Sequence, residues 1–177
     1  MPDVKYFNCP YVVCKLDNHL EIKHRLLELI HIEKSSSIID NNGNVSKSDW
    51  NLNNDSNTSK KYFEFLQPHL IKCIDPVYRE ILKYPEYKIG NYWFQQYNEN
   101  DSHPWHVHPN SFWTNVYYAD LSDLGPKTEI LSPEDNKTII VPDVNEGDIL
   151  TFPAFLKHRS APNRSNRLKT VVAFNVF

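Results

Sequence analysis

Residues 146–158 read Glu-Gly-Asp-Ile-Leu-Thr-Phe-Pro-Ala-Phe-Leu-Lys-His. Gly147 permits a tight turn. A short apolar strand follows, and Phe152-Pro153 breaks its ladder. His158 then stands where the next strand begins. Working outward, the flanking segments have the same character. Tyr92, Phe94 and Gln96 alternate with Trp93, Gln95 and Tyr97. Runs at 112–119, 128–131, 138–141, 149–152 and 169–177 are short, β-branched or aromatic, and separated by turn residues. Most aromatic side chains lie beyond residue 91, and such residues suit a pleated, half-buried surface. The second half of the chain is therefore expected to form a β-sandwich or barrel.

About fifty residues before His158 stands His103-Pro104-Trp105-His106-Val107-His108-Pro109. Residues two apart on a strand share a face. His106 and His108 are thus expected side by side, where two neutral imidazoles can bind one transition metal. His103 is out of phase with them. A lone His-x-His is more often surface decoration or a hydrogen-bonded pair than a metal site. A β-barrel changes that balance, because it can return His158 to the same place.

The ordered set HVHP (106–109), NVYY (115–118), EGDILTFPAFLKH (146–158) and RLKTVVAFN (167–175) resembles the Fe(II)- and 2-oxoglutarate-dependent oxygenases. The likeness covers residues 91–177, and it is closest to a small subgroup with an H-x-H-P motif. It implies a mainly β fold, a double-stranded β-helix of jelly-roll or cupin-like form, with Fe(II) as metal and 2-oxoglutarate as cosubstrate. His106 matches the first histidine of the family's metal motif and His158 the distal one. The second position, usually a carboxylate, is His108 here. Three histidines still bind Fe(II), but bring no negative charge. Glu99, Asp101 and Glu129 are the nearest carboxylates that would replace His108.

In the family a basic residue on the closing strand pairs with the far carboxylate of 2-oxoglutarate. Counting back from Phe174-Asn175 selects Lys169; counting nine forward from His158 selects Arg167. Lys169 is preferred, with both expected near the cavity. Of Tyr117 and Tyr118 one must face inward, and Tyr118 is taken as a cosubstrate contact together with Asn115 and Asn175. Gln96 and Asn98 are further candidates for lining the barrel.

The first 90 residues are read as helical support within one domain spanning 1–177. Ile22, Leu26, Leu29 and Ile30 keep helical spacing between His19 and Glu33, with Asp17 or Asn18 as cap. A second helix is expected over 59–82, kinked or divided by Pro68 and Pro76. Residues 34–58 are polar and read as a long loop anchored by Trp50, able to act as a lid.

Nineteen Lys and Arg against 22 Asp and Glu give a net charge of -3. That balance offers no global attraction to nucleic acid or anionic membranes. A local basic cluster at 157–169 reads equally well as a solvated strand end. Three cysteines without a C-x-x-C indicate reduced thiols and a cytoplasmic protein. No signal peptide or membrane-spanning run is expected. Four glycines leave no phosphate-binding loop or nucleophile elbow. The substrate is left as a small molecule or a side chain, and a homodimer is left open. The rival readings are a cupin-like three-histidine metalloprotein that ignores 2-oxoglutarate and an inactive β-barrel binding module. Histidine ligation makes metal affinity fall with acid, near pH ~6 for ordinary imidazoles.

Overall fold

The computed structural model describes residues 9–40, 43–52 and 60–177. The chain order is β1 (Val12–Lys15), α1 (His19–His31), β2 (Ser36–Asp40), β3 (Gly43–Ser48), a 3-10 turn (Trp50–Leu52) and α2 (Lys61–Pro76), which runs on into a π-helical turn (Val77–Ile81). Then come β4 (Ile89–Tyr97), β5 (His103–His106), β6 (Trp113–Asp120), β7 (Thr128–Leu131), β8 (Ile139–Ile140), β9 (Asp148–Pro153), β10 (His158–Ser160) and β11 (Lys169–Val176).

The strands form two antiparallel sheets. The larger has the order β1-β9-β6-β11-β4-β3-β2, and the smaller β5-β10-β7-β8. This mainly β architecture of two facing sheets is that of the double-stranded β-helix. β11 lies at the centre of the larger sheet, with Val172 opposite both Phe94 of β4 and Tyr117 of β6. Its side chains alternate as strand geometry requires. Val172, Phe174 and Val176 join Leu26, Leu66 and Leu70 of the helices in one core. Val171 joins Tyr97, Tyr118 and Phe152 in a second core between the sheets. The helices therefore support the outer face, and the inner face is left to form a site.

α1 begins after Asn18, whose amide bonds His69 rather than its own helix. Pro68 is accommodated within α2. At Pro76 the helix changes to the wider turn, where proline's missing N–H interrupts the ladder. Gly147 sits at φ 89°, and a β-carbon there would stand 2.8 Å from the His19 ring. Turn conformation and close approach both require glycine.

The loop expected over 34–58 is in part a hairpin; residues 41–42 and 53–58 of it lie outside the described residues. β2 and β3 extend the larger sheet, and β3 pairs with β4 through Lys47 opposite Gln96 and Ser48 opposite Gln95. Apolar periodicity does not reveal these strands because polar groups hold them. Asp101 accepts hydrogen bonds from Asn44, Ser46 and the Asn98 backbone.

Asp49 fastens the end of that hairpin. It accepts from the Phe94 amide at 2.9 Å and the Tyr62 hydroxyl at 2.8 Å, and pairs with Lys60 at 2.6 Å. Asp49 and Lys60 are both buried. Removing one partner strands the other's charge in a low-dielectric setting. Asp49→Ala is expected to lower stability by about 3–5 kcal/mol in urea unfolding, the range for a broken buried pair. A loss under ~1 kcal/mol, typical of an exposed pair, would contradict this role.

Candidate metal centre

β5 and β10 are neighbours in the smaller sheet, and their pairing sets His106 opposite His158. The strand does not carry His108. β5 ends at His106, and Pro109 and Asn110 (φ 59°) begin a turn. The His108 amide donates to Ala154 O at 3.0 Å, which holds this residue at the mouth of the barrel. The ligand atoms of His106, His108 and His158 all lie within 4.8 Å of one another.

Each ring has its Nδ1 committed elsewhere. His106 Nδ1 donates to Pro104 O and His158 Nδ1 to Leu156 O, each at 2.8 Å. A carbonyl only accepts, so both Nδ1 atoms carry the proton. His108 Nδ1 lies 2.7 Å from Asn175 Oδ1 and 2.9 Å from Thr114 Oγ1. With the amide oxygen accepting, His108 takes the same tautomer. Three Nε2 lone pairs are then left without protons, and those of His106 and His108 stand 3.1 Å apart. Lone pairs at that separation repel unless a cation lies between them. The donor set fits a divalent transition metal, with backbone and amide acceptors orienting the rings as such sites require.

The surroundings keep the rings neutral. Burial lowers the His106 pKa. Burial, with a smaller contribution from His106, brings His108 down to about 4. His158 falls well below its ordinary value through burial and then its histidine neighbours. Protons therefore compete with a metal only at lower pH than ordinary imidazoles would suggest. The onset moves below the ~6 expected from unperturbed histidine.

A narrow cavity of about 30 Å³ joins the histidines to Lys169. Lys169 is buried, and Nζ donates to Ser160 Oγ at 2.8 Å. The ring of Tyr97 is 4.8 Å away and that of Tyr118 5.9 Å. Among the described residues no carboxylate pairs with it. Desolvation pushes its pKa down to about 7. A larger cleft of about 540 Å³ shares Trp93, Gln95, His103, His106 and His108 with this cavity.

Strand parity sorts the remaining candidates. Asn175 faces the histidines. Asn115 faces the helices, bonded to Tyr78, Thr151 and Phe174 O. Tyr118 does turn inward, but its hydroxyl is satisfied by Thr128 and its ring forms the wall beside Lys169. Arg167 does not approach the cavity. It precedes β11, is largely exposed, and faces Asp120 at 3.6 Å. Gln96 bonds Thr170 on the outer face, and Asn98 bonds Ser46, so neither lines the site. The alternative carboxylates are also elsewhere: Asp101 in the hairpin cluster, Glu129 paired with Arg159 at 2.6 Å, Glu99 exposed. Thr114, Gln95, Ser160 and Trp93 belong to the site and were not singled out from sequence. Correct parity on β4 would have selected Gln95 over Gln96.

Residues 91–175 match the family model described as "Putative 2OG-Fe(II) oxygenase". The matched stretch runs from β4 to β11 and includes the three histidines and Lys169. Solved structures agree in fold. The α-ketoglutarate-dependent epimerase SnoN of nogalamycin biosynthesis aligns with 96% of this chain and 78% of its own, at TM-score 0.68 and 14% identity. A prolyl hydroxylase from Trichoplax adhaerens, solved with a hypoxia-inducible-factor peptide, aligns with 94% of this chain and 83% of its own, at TM-score 0.66 and 14% identity. A Pseudomonas putida prolyl-4-hydroxylase aligns with 96% and 92%, at TM-score 0.61 and 9% identity. No curated protein matches the sequence. Among the described residues, no helix is long and apolar enough to cross a membrane.

The Asn175 contact can be tested apart from the ligands. Asn175→Ala is expected to weaken Fe(II) affinity by roughly 10–100-fold, the usual cost of losing a group that orients a ligand. Asn115→Ala, on the opposite face, is expected to lower stability and leave affinity within about threefold, since it touches no metal-facing ring. Equal losses of affinity in anaerobic titration would show that Asn175 does not act on His108.

Proposed function

We propose that His106, His108 and His158 hold Fe(II) and that Lys169 binds the distal carboxylate of 2-oxoglutarate in the same oxygenase site. The observation that carries the reading is the convergence of three unprotonated Nε2 atoms beside a buried lysine that has no carboxylate partner among the described residues. When bound, iron and 2-oxoglutarate supply the oxidation: O2 delivers one oxygen atom to a substrate C–H and the other to succinate, with release of CO2.

The chain's own residues do the rest. Pro104 O, Leu156 O and Asn175 fix the imidazole tautomers. Trp93 lies against His108 and Phe152 against His158, which keeps water from two sides of the cluster. Lys169 offers a point charge within an aromatic wall, with Ser160 fixing its direction. Because the three imidazoles are neutral, the anionic cosubstrate balances the metal's charge. Lys169 also separates this reading from a cupin-like metalloprotein that ignores 2-oxoglutarate, which would have no use for a buried cation there. A small-molecule or side-chain substrate and a cytoplasmic setting, which the free thiols of Cys9, Cys14 and Cys73 suit, belong to the same reading.

The lysine gives the site a pH signature. Only the ammonium form pairs with a carboxylate, and in the free protein it is lost as pH rises through about 7. Below that pH the affinity for 2-oxoglutarate should be level. Above it, binding must take up a proton, so Kd should rise by up to about tenfold per pH unit. Lys169→Arg should flatten the profile, and Lys169→Met should weaken binding on the order of 100-fold, as for a buried charge that loses its partner. Anaerobic calorimetry and succinate release measure both. A flat wild-type profile, or unimpaired succinate release in Lys169→Met, would contradict the assignment.

A further inference from the structure

The larger cleft in front of the histidines constrains what reaches them. Its lining is aromatic, aliphatic, amide and imidazole; among the described residues it contains no lysine, arginine, aspartate or glutamate. Away from the histidines and the metal they would hold, a phosphate, carboxylate or ammonium entering it would give up water without gaining a countercharge from the lining, which is costly. The cleft thus disfavours charged groups.

Two further features define what it favours. Trp50 stands at the cleft with 42% of its surface exposed. It is held edge-on to the buried Trp93, ring centroids 4.3 Å apart, and its amide donates to Ser48 Oγ at 3.1 Å. An indole fixed in this way offers a flat apolar platform at little cost in side-chain entropy.

Gln95 is only 6% exposed and lines both the cleft and the narrow cavity. Its Oε1 accepts from the Tyr97 hydroxyl at 2.9 Å. With the Tyr97 hydroxyl donating to Oε1, the other end of the amide, Nε2, points away from Tyr97. Gln95 Nε2 is thereby left as a donor. It is not among the sealed polar atoms that lack a partner, and its residue lines both cavities, so a group entering the cleft can meet it with an acceptor.

We propose that the substrate of this site presents an uncharged group with a flat apolar face and a hydrogen-bond acceptor, the face seated on Trp50 and the acceptor on Gln95 Nε2. The proposal rests on the oxygenase reading for its chemistry, but the recognition itself needs neither metal nor turnover.

The test uses three probes that share one ring and differ in charge: benzamide, benzoate and benzylamine. Each is titrated into the full-length protein carrying 15N-labelled tryptophan, and the Trp50 indole resonance, assigned by its loss in Trp50→Phe, is followed. Benzamide should shift that resonance and bind at least about tenfold more tightly than either charged probe, the penalty for leaving a charge uncompensated. Gln95→Glu keeps the acceptor for Tyr97, removes the donor and adds a charge, so preference should pass from benzamide to benzylamine. A Trp50 signal indifferent to benzamide, a charged probe bound as tightly by the wild type, or an unchanged order in Gln95→Glu would each overturn the proposal. Neutral-probe selectivity in a protein that releases no succinate would instead overturn the oxygenase reading and leave the recognition standing.

Discussion

Three Nδ1–H groups, each held by an oxygen of the chain, set the chemistry of this protein. Two of those oxygens are backbone carbonyls two residues upstream, at Pro104 and Leu156. The third is the Asn175 amide. Once these bonds are made, the Nε2 atoms of His106, His108 and His158 have nothing to point at except one another. Burial prevents protons from relieving the repulsion, since it holds all three pKa values down. The fold has built a place suited to a cation.

The architecture exists to hold that arrangement. His106 and His158 are cross-strand partners in the smaller sheet, and Asn175 comes from β11 at the centre of the larger one. The site therefore depends on how the two sheets face each other. The helices pack on the outer face of the larger sheet and leave the inner face of β11 free to present Lys169 and Asn175. Lys169, buried beside the same cavity with no carboxylate partner among the described residues, suits an anion. A metal and a dicarboxylate would meet both features at once.

Much of this was legible in the sequence, and the reasons for what was not are physical. Short aromatic and β-branched runs announced the strands beyond residue 88 because their packing is apolar. The β2–β3 hairpin escaped because Asp101, Asn44 and Ser46 hold it by polar contacts, which leave no hydrophobic period. The histidines could be grouped from strand parity and a family likeness, although His108 lies beyond the end of its strand and is held by Ala154 O instead. Parity also decided the errors. Gln96 and Asn115 lie one residue away from inward positions, and that step carries a side chain to the other face. Arg167 was misplaced because β11 starts only at Lys169. Its alternation therefore does not extend back to Arg167. Trp50 and Gln95 gained their significance only when β3 brought the 3-10 turn beside β4.

The most direct test of the central claim is an anaerobic absorbance titration with Fe(II) and then 2-oxoglutarate, in the wild type and in His106→Ala, His108→Ala and His158→Ala. If the three histidines form one iron site that receives the keto acid, a visible charge-transfer band will appear only after both additions and will be lost in each variant. A full band in His108→Ala would contradict the three-histidine site and require a ligand from elsewhere. No band in the wild type, despite bound iron, would contradict the role assigned to 2-oxoglutarate.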